Sequence, residues 1–356
     1  MQRKTAEMRA TALLCLLAVL ACPGCGWLCV AVHAAGYRVT DTGEAGNVVV
    51  HGEVAYVTRA GLGLEIFDLE HGRQLAIIPP PRGSESIDDV AVADGLLFLL
   101  DAGPPGHLSV YAADNRAAPA LRAGPLEVPV GPFSGVSAAA GHVVVSGGTS
   151  ALTLRTYAAD GSLGADVATG DFGRGQPDVL LAPDGHRAFV STHFRGPHFG
   201  LTTAQITSAP LSIVKRSTID LETIGFTAGG AKPANFPIET ALAGDVLLVA
   251  YARGLALVGV SALDHPTILS EVRLAVQPVN VDVRDGVAAV VGSSPTPALV
   301  LLDIDNPAAP KVIRTVPLPE DADATGVAIG ATRVVVAAGA RGVLLFSRGS
   351  ETSVAD

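Results

Sequence analysis

The chain has 356 residues, 49% of them hydrophobic, 16% charged and 4% aromatic, with 40 glycines and 24 prolines. Lysine and arginine number 24 against 34 aspartates and glutamates, a formal charge of −10, which argues against nucleic acid as a partner because such binding needs cationic neutralisation of phosphates. Many glycines with little charge suit short strands and tight turns rather than long helices.

Residues 1–36 form a unit of their own. Arg3, Lys4 and Arg9 precede an uncharged stretch, Thr11 to Val32, which has the basic and apolar regions of an export signal. Three endings compete. Val19-Leu20-Ala21-Cys22 resembles a bacterial lipobox, in which Cys22 would be lipidated and become the N-terminus. Val32-His33-Ala34 offers a small-residue cleavage site, and 22 uncharged residues are long enough to span a bilayer uncut. All four cysteines (Cys15, Cys22, Cys25 and Cys29) lie here, without partners elsewhere in the chain, which disfavours a structural zinc site. Beyond residue 36 the balance is 21 basic to 33 acidic side chains.

From residue 37 to 347 an apolar run, a polar turn with glycine and a second apolar run recur. The turn glycines Gly52, Gly95, Gly141, Gly185, Gly244, Gly286 and Gly330 are 43, 46, 44, 59, 42 and 44 residues apart. A period near 44 with four short strands per unit predicts an all-β, seven-bladed β-propeller. Each unit opens on a nearly all-apolar strand, such as Val48-Val49-Val50, read as the innermost one and buried on both faces. Asp94-Gly95 and Asp285-Gly286 are hairpin signals. The third strands read like Leu64 to Asp68, and the outer strands like Val312 to Val316. The seventh unit lacks a fourth strand. Residues 37–41 stand before the first inner strand as outer strands do elsewhere, so an N-terminal strand is expected to complete the last blade and remove an open edge. Residues 348–356 form a tail.

The run Ala298 to Ile313 (ALVLLDIDNPAAPKVI) combines a strand, an Asp-x-x-Asn-Pro turn and a second strand, with weaker copies at Leu255 to Pro266 and Leu64 to Leu69. In this it resembles the LVIVD-repeat family of β-propellers. That resemblance implies an exported bacterial or surface protein and adds little chemistry.

Propellers bind at the axial mouth. Residues just before the inner strands, read in register, are Asn47, Asp89, Gly135, Asp178, Glu239, Asn280 and Thr325. Such a polar ring suits a cation such as calcium, or a small polar ligand. The plainer reading is that these short side chains satisfy backbone donors where strands begin. The long fourth unit carries His193, Arg195 and His198, whose spacing fits a recognition loop better than a helical metal motif. Residues 228–237, rich in glycine and proline, read as a second insertion. Arg59, Arg253 and Arg341 recur after second strands, either to grip an anion or to keep turns soluble. No nucleophile elbow or phosphate-binding glycine loop occurs. The expectation is therefore an exported, membrane-tethered monomer, facing periplasm or cell surface, that acts as a non-enzymatic binding or protein-interaction platform without a cofactor. The alternatives are a secreted form, a metal-dependent hydrolase or lactonase-like enzyme at the axial channel, and a purely structural envelope component.

Overall fold

A computed structural model describes residues 34–35, 45–81, 84–101, 103, 105–129, 135–147, 152–168, 172, 178–193, 199–220, 239–251 and 254–348. The strands form seven four-stranded antiparallel sheets, the blades of a propeller. Blade 1 is built from Ala45–His51, Val54–Arg59, Gly63–Asp68 and Arg73–Ile78, and blade 2 from Asp89–Ala93, Leu96–Asp101, Gly106–Ala112 and Leu121–Val128. The inner strands of blades 3 to 7 are Val136–Ala139, Asp178–Leu181, Thr240–Ala243, Gln277–Arg284 and Gly326–Ile329. Hairpins follow them. Asp94 and Gly95 both take positive φ (51° and 75°), as do Asp285 and Gly286 (50° and 73°), the geometry that a two-residue hairpin turn requires.

The hydrophobic core is divided among the gaps between neighbouring blades. Tyr56, Leu64 and Ile66 of blade 1 pack on Leu97 and Leu99 of blade 2. Phe98, Leu100 and Leu108 pack on Val143 and Val145 of blade 3, where Phe98 and Tyr157 meet at 4.8 Å between ring centroids. The ring closes because Val335, Ala337 and Val343 of blade 7 share a cluster with Val48, Val57 and Phe67 of blade 1. The Ala45 N–H also donates to Gly339 O at 2.9 Å. Closure therefore rests on burial as well as strand pairing.

One expectation is corrected, and another falls outside the described residues. In blades 1 to 3 the strand buried from end to end is the second one, as in Val54–Arg59 and Leu96–Asp101, while the inner Ala45–His51 is partly open; blade 7 differs, with its inner Gly326–Ile329 buried throughout. The physical reason is the axial channel: an inner strand has a neighbour on one side and the channel on the other. The four-stranded sheet of blade 7 has Ala34–Ala35 on its edge, with Ala34 opposite Phe346 and Ala35 opposite Leu345. The strand expected at residues 37–41 lies outside the described residues, and the pairing observed falls within the segment read as export signal.

The outer strands are interrupted in a regular way. Their pairing with the third strands shifts between Ile66 and Phe67, between Leu108 and Val110 and again before Tyr111, and between Thr203 and Ala204, Leu257 and Val258, and Leu301 and Leu302, in blades 1, 2, 4, 5 and 6. A bulge at the rim disturbs the edge that would otherwise template pairing with another chain.

Candidate functional site

The inner strands enclose an axial channel of about 290 Å³. Asn47, Asp89, Glu239 and Asn280 line its mouth, and valines, alanines and leucines such as Val49, Val90 and Leu180 line much of the shaft. The polar residues sit at strand starts because the apolar run begins immediately after them and must face the neighbouring blades.

Their side chains clip adjacent blades together. Asn47 Nδ2 donates to Asp89 Oδ1 at 2.5 Å, joining blades 1 and 2. Asp89 Oδ2 accepts from the Val136 N–H at 2.7 Å, joining blades 2 and 3, while Oδ1 also accepts from its own neighbour, Val90 N–H, at 2.8 Å. Ser137 Oγ accepts from Leu181 N–H at 2.9 Å. Asn280 Oδ1 accepts from Val327 N–H at 3.2 Å, and Asp282 Oδ2 from Ile329 N–H at 2.6 Å. Thr325 Oγ1 donates to Ala45 O at 2.8 Å or Gly46 O at 2.7 Å, across the ring closure. Each clip reaches the equivalent strand one repeat away. An inner strand is an edge strand, and its outward N–H groups need acceptors that the sheet cannot supply.

These contacts shape the electrostatics. Burial pushes the Asp89 carboxyl up to about 6, against the hydrogen bonds from Val136, Val90 and Asn47, which favour the charged form. Asp282 is also raised by burial, opposed by the amides of Ile329 and Val283 and by Arg284. Ser137 and Asp282 were not singled out from sequence. Asp282 stands two residues after Asn280 on the same strand face, so the period-two rule was the available signal.

The expected ring is therefore only partly assembled. Asn47 and Asp89 touch, and Glu239 and Asn280 line the same channel. Thr325 is occupied at the blade 7–blade 1 joint. Asp178 begins the inner strand of blade 4 and His193 ends the second strand there, but their side chains lie outside the description. Arg195, His198, Cys22 and residues 228–237 lie outside the described residues. Among the described residues, the grouping with ligand atoms close enough to share a metal is Asp68, Glu70 and His71, in a turn on the opposite face. Asp68 there already accepts from Glu70 N–H (3.0 Å) and sits 2.8 Å from His71 Nδ1.

The recurrent arginines do not form one cationic face. Arg59 is buried inside blade 1 with its Nε 3.4 Å from Glu65 Oε2 and both side chains fully enclosed, and Arg341 pairs with Asp321. Arg253 lies outside the described residues. None of the described residues belongs to a helix long and apolar enough to cross a membrane.

These features define a seven-bladed β-propeller, and solved structures of that kind are similar to it. A structure of RRP9 WD40 repeats matches with a TM-score of 0.62 at 12% identity, covering 89% of this chain and 99% of that one. A chain of a mitotic checkpoint complex structure matches with a TM-score of 0.63 at 12% identity, covering 94% and 99%. No protein-family profile and no curated protein matches the sequence.

Proposed function

We propose that the chain is an exported, membrane-tethered β-propeller of the LVIVD-repeat kind, serving as a rigid non-enzymatic platform for a protein or small polar ligand. The observation that carries this reading is the use made of the mouth. Asp89, Asn280 and Thr325 each bond to a neighbouring blade, so these members of the polar ring hold the propeller together. A calcium ion at the mouth would have to take Asp89 from the Val136 and Val90 amides. The neighbouring folds support a platform role: one is a WD40 repeat domain and the other belongs to a multi-protein complex. Export and tethering rest on the basic and apolar start of the chain and on the lipobox-like Leu20-Ala21-Cys22.

Two measurements test the reading. Mass spectrometry of the native N-terminus should find a lipidated Cys22. Photo-crosslinkers at the exposed loop positions Ala60 and Thr296 should give discrete protein adducts in cells, with no adduct from the rim position Thr315. Hydrolysis of an ester or lactone panel that collapses in Glu239→Ala, together with stoichiometric bound metal, would replace the platform with the enzyme alternative.

A further inference from the structure

The topology determines from which side of the ring the N-terminal segment departs. Inner strands run away from the mouth: Asn47, Asp89 and Asn280 stand near their starts, and turns such as Asp94-Gly95 follow their ends. Strand direction alternates across each antiparallel sheet. In blade 7, Val343–Ser347 is the third strand and also runs away from the mouth, so Phe346 lies toward the far face. Ala34 opposes Phe346 and Ala35 opposes Leu345 in antiparallel register. The chain therefore runs toward the mouth through this pair and reaches Ala34 from the far face. The other end of the connection agrees, because Ala45 begins the first inner strand at the mouth and is held there by Gly339 O.

We infer that the segment before Ala34 leaves the propeller on the face opposite the axial mouth, so that an anchored chain turns its hairpin face to the lipid and presents the mouth to the aqueous side. This rests on the tethering proposed above. Cys22 lies twelve residues before Ala34, a reach of roughly 40 Å when fully extended. A blade of six-residue strands is about 20 Å deep. Turning the mouth to the lipid would make the tether double back along the outer wall of blade 7 and use about half of that reach. The competing arrangement is edge-on. Ile268 and Leu269 of blade 5 and Val312 and Ile313 of blade 6 are exposed on neighbouring outer strands. An anchored ring lying on that rim would hold the mouth sideways.

The test uses the full chain with Cys25→Ser and Cys29→Ser; residues 30–356 contain no cysteine, and with Cys22 lipidated and Cys15 removed with the signal, as proposed, a single added cysteine is a unique label. Exposed positions are chosen on the far face (His51→Cys, Ala262→Cys), at the mouth (Ala60→Cys, Thr296→Cys) and on the rim (Thr315→Cys). Each labelled protein is recovered from bacterial membranes, reconstituted in phosphatidylcholine vesicles carrying a headgroup quencher, and read against the same protein in quencher-free vesicles. With faces about 20 Å apart, the far-face labels should be quenched at least about twofold more than the mouth labels. Equal quenching of the two faces, stronger quenching at the mouth, or strongest quenching at Thr315 overturns the orientation while leaving the tether intact. A chain that fails to float with the vesicles overturns the tether itself, and the orientation falls with it.

Discussion

Lowering the pH from about 7.5 to about 5 should strengthen the propeller through Asp89. Its carboxyl is raised from 3.8 to about 6 because it is enclosed where three blades meet, between Asn47, Val90 and Val136. A folded-state value above the unfolded one means that the native state holds the proton more tightly between those values, so stability falls as pH rises through that window. The linkage integral gives a gain of roughly 1.4 kcal/mol at pH 5 relative to pH 7.5, approaching ~3 kcal/mol below pH 4. Asp282 is shifted the same way and adds to the gain. His142 works against it: burial, and then the nearby His186, lower its value, so its contribution is present above about 6.5 and is lost as pH falls. Asp68 and Asp184, held low by hydrogen bonds, weaken the fold only below the ordinary carboxylate range. Comparison with Asp89→Asn isolates the Asp89 part. Urea unfolding should be followed by far-UV circular dichroism at both pH values, since the only tryptophan, Trp27, lies outside the described residues. The wild type should gain more than the variant by roughly 1 kcal/mol on acidification. A difference that stays flat, or reverses, refutes the account of the buried carboxylate.

Thr325→Val removes the hydroxyl that donates to Ala45 O or Gly46 O and should cost about 1 kcal/mol in urea unfolding. Gly63→Ala places a methyl 2.1 Å from Ile78 O at φ +101° and should cost more than ~3 kcal/mol or abolish folding. Gly61→Ala, at φ +73° with open space around it, should cost about 1 kcal/mol, both read from thermal melting. Glu65→Ala leaves the Arg59 charge in a fully enclosed site and should cost ~3–5 kcal/mol, whereas the double change Arg59→Met/Glu65→Leu should recover most of it. A double variant no more stable than the single one would mean that the pair does more than compensate its own burial.

The number of blades was legible because every unit repeats one event, an apolar strand turned by a polar pair onto a second apolar strand. Asp94-Gly95 and Asp285-Gly286 carry that event in their dihedrals. The division of burial was harder to read. Val48-Val49-Val50 and Val54-Ala55-Tyr56 look equally apolar, yet only the second strand has sheet neighbours on both edges and blades on both faces. Arg59 was misread for a related reason. It follows a strand and precedes a glycine-rich turn, as exposed arginines do, while Glu65, which encloses its charge, belongs to the next strand. Local order shows the turn but not the partner across it. The mouth residues were found by register, and their use was not, because an acceptor in one repeat is consumed by an amide of the following one.

The innermost strand is an open edge, and a closed ring of such strands must find acceptors for N–H groups that the sheet leaves unpaired on the channel side. Short polar side chains at strand starts meet this need, as Asp89 does for Val136 and Asn280 for Val327. A convergent ring of carboxylates and amides then arises from folding alone, before any ligand is considered. What separates a binding mouth from a structural one is whether the polar atoms remain available once the blades are joined. In this chain Asp89 serves blades 1, 2 and 3 together, and in blade 6 Asp282 repeats the device two residues further along the strand than Asn280. On the proposed reading, the surface left for recognition is the loops around the opening rather than Asp89 and Asp282, so the face that an anchored chain turns to the lipid decides which loops are presented.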